Sequence, residues 1–296
     1  MQRDKDIPAV ENNSDDYVTR VSSDPAQVPR EAWNALLARG PEASPFMRHE
    51  YLCAMHESGS ATPRTGWTPA FITLWRGQDL HAACPLYLKA HSYGEYVFDW
   101  AWANAYEQHG LVYYPKALVG VPFTPVPGAR LLARDDTARR ALLREVLRFC
   151  DQEKLSSLHV LFQGEDDRAA CEAQGLMARH TVQFHWTNSD PGYADFEAFL
   201  ASLSQDKRKK IRQERRKVAD AGVRFRAIHG EALSPADWDF FYRCYERTYL
   251  EHGNAPYLTR AFFAQMAREM APHWVMFLGE RSGHPIACSL VAVSEA

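Results

Sequence analysis

The chain has 296 residues, 46% of them apolar and 24% charged, with a formal net charge of −3. That is an ordinary globular composition, long enough for two hydrophobic cores, and it excludes a disordered polyelectrolyte or a protein built as a whole to bind polyanions. Apolar runs end well short of the roughly 18 residues a membrane span needs. The first 29 residues carry too many acids for a signal peptide, so the expected location is cytoplasmic. The six cysteines form no C-x-x-C pair and read as small buried apolar side chains. The twelve histidines show no ligand spacing, so no metal is expected.

In chain order, residues 1–28 read as a mostly flexible N-terminal segment with a short strand at 17–22. Pro29 stands in the first turn of a helix over 29–37, and Ser44-Pro45 opens a second over 48–57. Apolar runs at 71–75 and 80–88, joined through Arg76-Gly77-Gln78-Asp79, predict a hairpin. An aromatic stretch follows at 91–114, then a proline-rich loop at 122–127. Beyond it come a strand at 130–133, a helix at 136–153, a strand at 158–162, a helix at 166–174 and a strand at 176–186. A basic helical segment occupies 204–221. The opening order then returns: strand 223–228, helices 235–250 and 259–270, and strands 274–279 and 285–293 about Arg281-Ser282-Gly283-His284.

That return is a repeat in residues as well as in elements. Trp33 is answered by Trp238, and Ser44-Pro45-Phe46-Met47 by Ala255-Pro256-Tyr257-Leu258. Leu74 with Ala83-Cys84-Pro85-Leu86 is answered, 204 residues on, by Leu278 with Ala287-Cys288-Ser289-Leu290. Three matches in one order, all on apolar positions, predict duplication of a structural unit, and a period this long excludes a solenoid. The second unit stops inside an apolar strand soon after its matching leucine, so it is expected to be a shortened copy.

The residues also resemble a known family. They are His91-Ser92-Tyr93-Gly94-Glu95-Tyr96-Val97-Phe98-Asp99-Trp100, Tyr114-Pro115-Lys116, Val121-Pro122-Phe123-Thr124-Pro125-Val126, Val182-Gln183-Phe184-His185-Trp186, Lys207-Arg208-Lys209-Lys210-Ile211-Arg212 and Pro256-Tyr257-Leu258-Thr259-Arg260. Together with the element order, they resemble the FemAB-like predicted N-acyltransferases of peptidoglycan biosynthesis, within the GNAT superfamily. The resemblance implies an α/β fold with mixed α+β sheets: a tandem duplication of a GNAT-like N-acyltransferase fold. The units would be 29–186 and 187–296, the second incomplete at its C-terminal end and opened by the basic segment 204–221. It also implies transfer of an acyl or aminoacyl group from acyl-CoA or aminoacyl-tRNA, as co-substrate, to an amine of a small molecule or cell-wall precursor. No permanently bound cofactor is implied, and tRNA is a candidate partner.

Such chemistry needs an amine freed of its proton. At a lysine-like pKa of about 10.4 the amine lies ~3.4 units from pH 7, about 4.6 kcal/mol. The stretch from His91 sets His91, Glu95 and Asp99, the candidate catalytic residues, among Tyr93, Tyr96 and Trp100, candidate substrate-binding residues with apolar walls. If that stretch is extended, Tyr93, Glu95 and Asp99 share one face. The alternative is an amphipathic strand between the units with its acids paired.

Residues 207–217 carry eight Lys or Arg and one Glu. On a helical projection Arg208, Arg212, Arg215 and Arg216 gather on one shoulder of a seam formed by Phe196, Leu200, Leu203, Ile211 and Val218, while the lysines fall elsewhere; Lys207 joins the candidate substrate-binding residues from the other side of Ile211. Guanidinium groups so placed suit bidentate contact with phosphate or carboxylate, and Arg208 is the first candidate by the family resemblance. A solvated basic face, a nucleic-acid-binding helix and a non-catalytic duplicated scaffold are the competing readings.

Overall fold

The computed structural model describes residues 17–40 and 43–294. Residues 1–16, the larger part of the segment expected to be flexible, lie outside that range. The remainder of that segment belongs to the fold. β1 (Val18–Ser22) pairs antiparallel with β3 (Phe71–Arg76), and Tyr17 and Val28 are buried, so the first unit begins before residue 29.

α1 (Arg30–Leu37) and α2 (His49–Glu57) follow β1. α1 buries Trp33, Leu36 and Leu37; the Trp33 ring stacks on Phe71 at 5.5 Å while its Nε1 donates to the Met47 carbonyl at 2.8 Å. Two bent strands form the expected hairpin. β2 (Trp67–Pro69) runs into β3, and β4 (Asp79–Cys84) continues past Pro85 as β5 (Leu86–Lys89). The proline, which cannot donate a ladder hydrogen bond, divides the hairpin between two sheets.

α3 (Trp100–Gln108), β6 (Lys116–Val119), β7 (Leu132–Ala133), α4 (Asp136–Gln152), β8 (Leu158–Val160) and α5 (Glu165–Ala173) complete this half. One sheet runs β1-β3-β4-β7 and the other β2-β5-β6-β8, with β6 and β8 parallel. α4 lays Ala138, Leu142 and Val146 on the face carrying Ile72, Leu74, Ala82 and Cys84. α1 and α2 cover the opposite face at Phe71, Trp75 and Ala83.

The strand expected at 176–186 does not form. Val182, Phe184 and Trp186 alternate as a strand would, yet all three stand exposed and join no strand among the described residues. Alternation marks a suitable sequence, but a strand exists only where another edge supplies its hydrogen bonds.

α6 (Phe196–Ala201) and α7 (Gln205–Asp220) lead into β9 (Val223–His229), α8 (Pro235–Glu251), α9 (Arg260–Glu269), β10 (Trp274–Arg281) and β11 (His284–Ala292). The sheet order β11-β10-β9 mirrors β4-β3-β1, with every pairing antiparallel. The two hairpins share a two-residue turn, after Arg76 in one and after Arg281 in the other. They also share a register shift, at Leu74/Trp75 and at Gly279/Glu280. These landmarks lie 205 residues apart, one more than the spacing read from Leu74 and Leu278.

That single residue decides which way side chains point, because a one-residue slip exchanges the two faces of a strand. Leu278 occupies the place of Thr73, not of Leu74. It therefore faces the helices, where Ile228, Met276 and Leu278 pack with Phe240 and Phe241 of α8. The other face of this sheet, equivalent to the one α4 covers in the first half, exposes Phe225, Phe277 and Val291.

The two halves share a core. Trp238, Phe262, Phe263, Met266 and Trp274 belong to the same buried cluster as Trp33, Leu52, Met55 and Phe71. Across this junction the Tyr51 and Phe262 rings meet edge to face at 5.3 Å, Thr259 N donates to Ser60 Oγ at 3.1 Å, and Gln265 Nε2 donates to Glu57 at 2.9 Å. Among the described residues, no helix is long and apolar enough to cross a membrane.

Candidate functional site

The β2-β5-β6-β8 sheet sets an unusual row on one face. Trp67 pairs with Lys89, Lys89 pairs with Lys116, and Leu118, two residues beyond Lys116, is level with His159. Directly opposed like charges in a sheet are unfavourable, and both lysines are 0% exposed. Their burial is compensated from residues 90–99, which fold over the row as a loop, so the condition under which Tyr93, Glu95 and Asp99 would share a strand face is not met. Gly94 at φ +80° and Tyr96 at φ +57° turn the chain back. The two carboxylates thereby converge by looping around a lysine.

Lys116 Nζ uses all three of its hydrogens. It donates to Ser92 Oγ and to Glu95 Oε2, each at 2.8 Å, and to Asp99 Oδ2. Tyr113 donates to the same Asp99 oxygen at 2.8 Å, and the Tyr114 and Ser92 hydroxyls are 2.8 Å apart. Glu95 and Asp99 are 4% and 1% exposed. Among the described residues, Glu95 Oε1 and Asp99 Oδ1 have no hydrogen-bond partner, although both atoms are shielded from solvent. Lys89 Nζ lies 3.4 Å from the centre of the Trp67 ring and donates to the Tyr93 carbonyl at 3.3 Å.

The electrostatics differ from group to group. Burial opposes ionisation of Asp99, but hydrogen bonds from Lys116, Ser92 and Tyr113 outweigh it and hold the carboxyl below the usual range. At Glu95 burial prevails over the attraction of Lys116 and raises the carboxyl. Burial, helped by repulsion from Lys116, brings Lys89 down to about 7. Burial and Lys116 together lower His159 to about 4.

Of the residues singled out in the sequence, Glu95 and Asp99 meet on Lys116. His91 lies apart from that contact. Its ring packs over Gly66, leaving no room there for a Cβ, and meets Tyr93 at 5.3 Å. Tyr93 in turn meets Trp100 at 5.6 Å on the outside of the loop. Tyr96 reaches the second half, meeting Tyr257 at 6.4 Å. Tyr257 also stacks on Phe123 at 4.7 Å.

The basic residues do not join this cluster. Arg208 donates to the carbonyls of Ala201 and Leu203, closing the end of α6; Arg212 pairs with Glu197, Arg215 lies 4.4 Å over the Phe196 ring, and Lys207 is exposed. The expected seam is only partly buried: Leu200 is enclosed, whereas α7 buries no residue along its length.

Lys89, Lys116, Tyr113 and His159 were not singled out as site residues. The available signal was a lysine inside an apolar strand run, in Leu-Tyr-Leu-Lys and again in Lys-Ala-Leu-Val, where an inward charge must find a partner. A separate cleft of about 200 Å³, lined by Arg20, Ser22, Gln27, Val28, Pro29, Thr73, Trp75 and Gln78, shares no residue with the cluster. With neither carboxylate nor histidine in its lining that cleft offers no base; the buried cluster, where two carboxylates from the sequence-derived candidates converge on a lysine, is the candidate site.

The crystal structure of FemX is similar over 86% of this chain and 57% of its own, at 13% identity and a TM-score of 0.44. This chain thus spans under two thirds of FemX. A conserved protein of unknown function from Bacteroides thetaiotaomicron is similar over 91% of this chain and 74% of its own, at 12% identity and a TM-score of 0.41. No curated protein matches the sequence significantly. The family model described as peptidoglycan biosynthesis/recognition matches residues 24–296, and the chain belongs to that FemAB-like family.

Proposed function

We propose that this protein is an N-acyltransferase built from tandem GNAT-type units, moving an acyl or aminoacyl group from an activated carrier to an amine of a cell-wall precursor. The observation that carries this reading is the pair of buried, unpartnered oxygens, Glu95 Oε1 and Asp99 Oδ1. A buried acceptor without a donor is costly, and a bound ammonium group would supply the missing hydrogens. Glu95, with its proton affinity raised, takes one proton from the ammonium; the freed amine nitrogen attacks the carrier's carbonyl carbon, the carbon–oxygen or carbon–sulfur bond breaks with its electron pair going to the carrier, and the second proton that the nitrogen sheds as the amide forms goes to that leaving oxygen or sulfur. Lys116 holds both carboxylates in place and offsets part of their charge.

Two features bear on the carrier. In a GNAT-type unit the donor phosphates sit at the N-terminus of the helix that follows the fourth strand, here α4. That end is already capped, since Asp135 Oδ1 accepts from Ala138 N at 2.8 Å, and Asp136 adds a second acid to the first turn. Anions are disfavoured there. By contrast α7 presents Lys207, Lys209, Arg216 and Lys217 to solvent. This favours aminoacyl-tRNA over acyl-CoA, and supports nucleic-acid binding as a second reading confined to α7. A log–log salt slope of about −5 or steeper fits a polynucleotide, and about −1 to −2 fits a small phosphate ligand.

The test is transfer of a labelled group from aminoacyl-tRNA, and separately from acyl-CoA, to an amine-bearing nucleotide-linked precursor. Glu95→Gln should lower kcat on the order of 100-fold or more with the fold retained. Full activity in that variant would remove the reading.

A further inference from the structure

We propose that Tyr113 and His159 form a positioning chain that fixes the Asp99 carboxylate so that Oδ1 is the oxygen offered to the amine. The inference rests on the amine-transfer reading above and extends it to residues that touch no substrate. Asp99 Oδ2 receives Lys116 and Tyr113, and Tyr113 Oη lies 3.2 Å from His159 Nε2. An ionised carboxylate only accepts, so the single Tyr113 hydroxyl hydrogen is committed to Asp99. The 3.2 Å contact is then a hydrogen bond only when the Tyr113 oxygen accepts from His159, which assigns the ring hydrogen to Nε2 of the neutral imidazole. Ser157 Oγ, 3.0 Å from the same nitrogen, is a second acceptor for that hydrogen.

The scaffold holds this direction. His159 in β8 is level with Leu118 of the parallel strand β6, which also carries Lys116, so the imidazole and the ammonium lie on one rigid sheet face. The ionisable groups facing His159 are Lys116 from β6, Asp99 at the start of α3, Tyr113 before β6, and Arg179 from the segment after α5. Burial and the two cations keep the ring neutral at physiological pH, so it donates one hydrogen in a fixed direction and carries no proton away.

The chain is tested by tautomer and by carboxyl titration. Nitrogen NMR of the folded protein at pH 7 should show His159 protonated at Nε2. The Asp99 carboxyl, followed by carbon NMR, should titrate about one unit higher in Tyr113→Phe, because a carboxylate losing a donor binds its proton more tightly. His159→Gln, whose amide can donate to Tyr113, should keep the wild-type Asp99 titration, whereas His159→Leu should shift it as Tyr113→Phe does.

A ring protonated at Nδ1, or an unmoved Asp99 titration in Tyr113→Phe, would overturn the proposal. Equal Asp99 titrations in the two His159 variants would do so as well, reducing the residue to packing. The tautomer does not depend on turnover. An Nε2–H ring alongside a fully active Glu95→Gln would keep the chain of hydrogen bonds and discard the amine reading alone.

Discussion

Replacing Lys116 by methionine removes the centre of the buried cluster while nearly conserving its volume. The wild-type ammonium gives one hydrogen each to Ser92, Glu95 and Asp99; without it the two buried carboxylates keep only the Tyr113 hydroxyl on Asp99 and the attraction of Lys89. Breaking a buried pair on one side costs about 3–5 kcal/mol, a large share of the 5–15 kcal/mol by which domains are stable. The loss should depend on pH in a defined direction. In the wild type the lowered Asp99 pKa contributes stability that is complete above its unfolded value, about 3.9, and is lost as pH falls through the folded value. In Lys116→Met both carboxyls are raised by burial. The variant then loses stability as pH rises above about 4, by up to about 1.4 kcal/mol per pH unit for each carboxyl that stays protonated only in the folded state. Urea titrations followed by tryptophan fluorescence at pH 5 and pH 8 measure the gap. A gap that stays below about 1 kcal/mol, or is equal at the two pH values, would refute the idea that Lys116 holds two ionised groups in the core.

Other substitutions probe the surroundings. Gly94→Ala would place a methyl group 2.5 Å from the Phe123 ring at φ +80°, so a loss of about 2–4 kcal/mol is expected from strain and overpacking; an unchanged thermal midpoint would contradict it. Arg208→Ala should speed hydrogen exchange in residues 196–203 and cost about 1 kcal/mol, since its guanidinium closes α6; unaltered exchange would show that the contact is not maintained. Lys89→Met should stabilise the protein at pH 6 more than at pH 9. The folded Lys89, lowered to about 7, is penalised relative to the unfolded chain most fully below 7, and the penalty fades as pH rises from there towards 10.4. Denaturation midpoints at the two pH values check it, and the opposite order would be decisive against a neutralised lysine.

How much of this was legible depended on how local the cause is. Ser234 caps α8 and Asp135 caps α4 through their own side chains, and such ends are written in a few adjacent residues. The spacing between hairpins misled by one residue, because Leu and Cys recur on both sheet faces while only the turn and the register shift fix which face is which. Glu95 and Asp99 were visible as acids within an aromatic stretch. Their partner Lys116, quoted only among the residues of the family resemblance, was not assigned to the site, because it reaches them through sheet pairing and the left-handed turn at Gly94 and Tyr96. The strand pattern at Val182, Phe184 and Trp186 shows the converse, a local preference that finds no edge to join.

The interleaving of Trp33, Met55 and Phe71 with Trp238, Phe262 and Met266 has a consequence for handling the molecule. Cleaving it near residue 187 would strip the same apolar surface from each piece. Neither fragment should then persist alone as a soluble, rigid product, whereas both expressed together have reason to reassemble. Heating the intact chain should accordingly give a single sharp endotherm instead of two resolved ones.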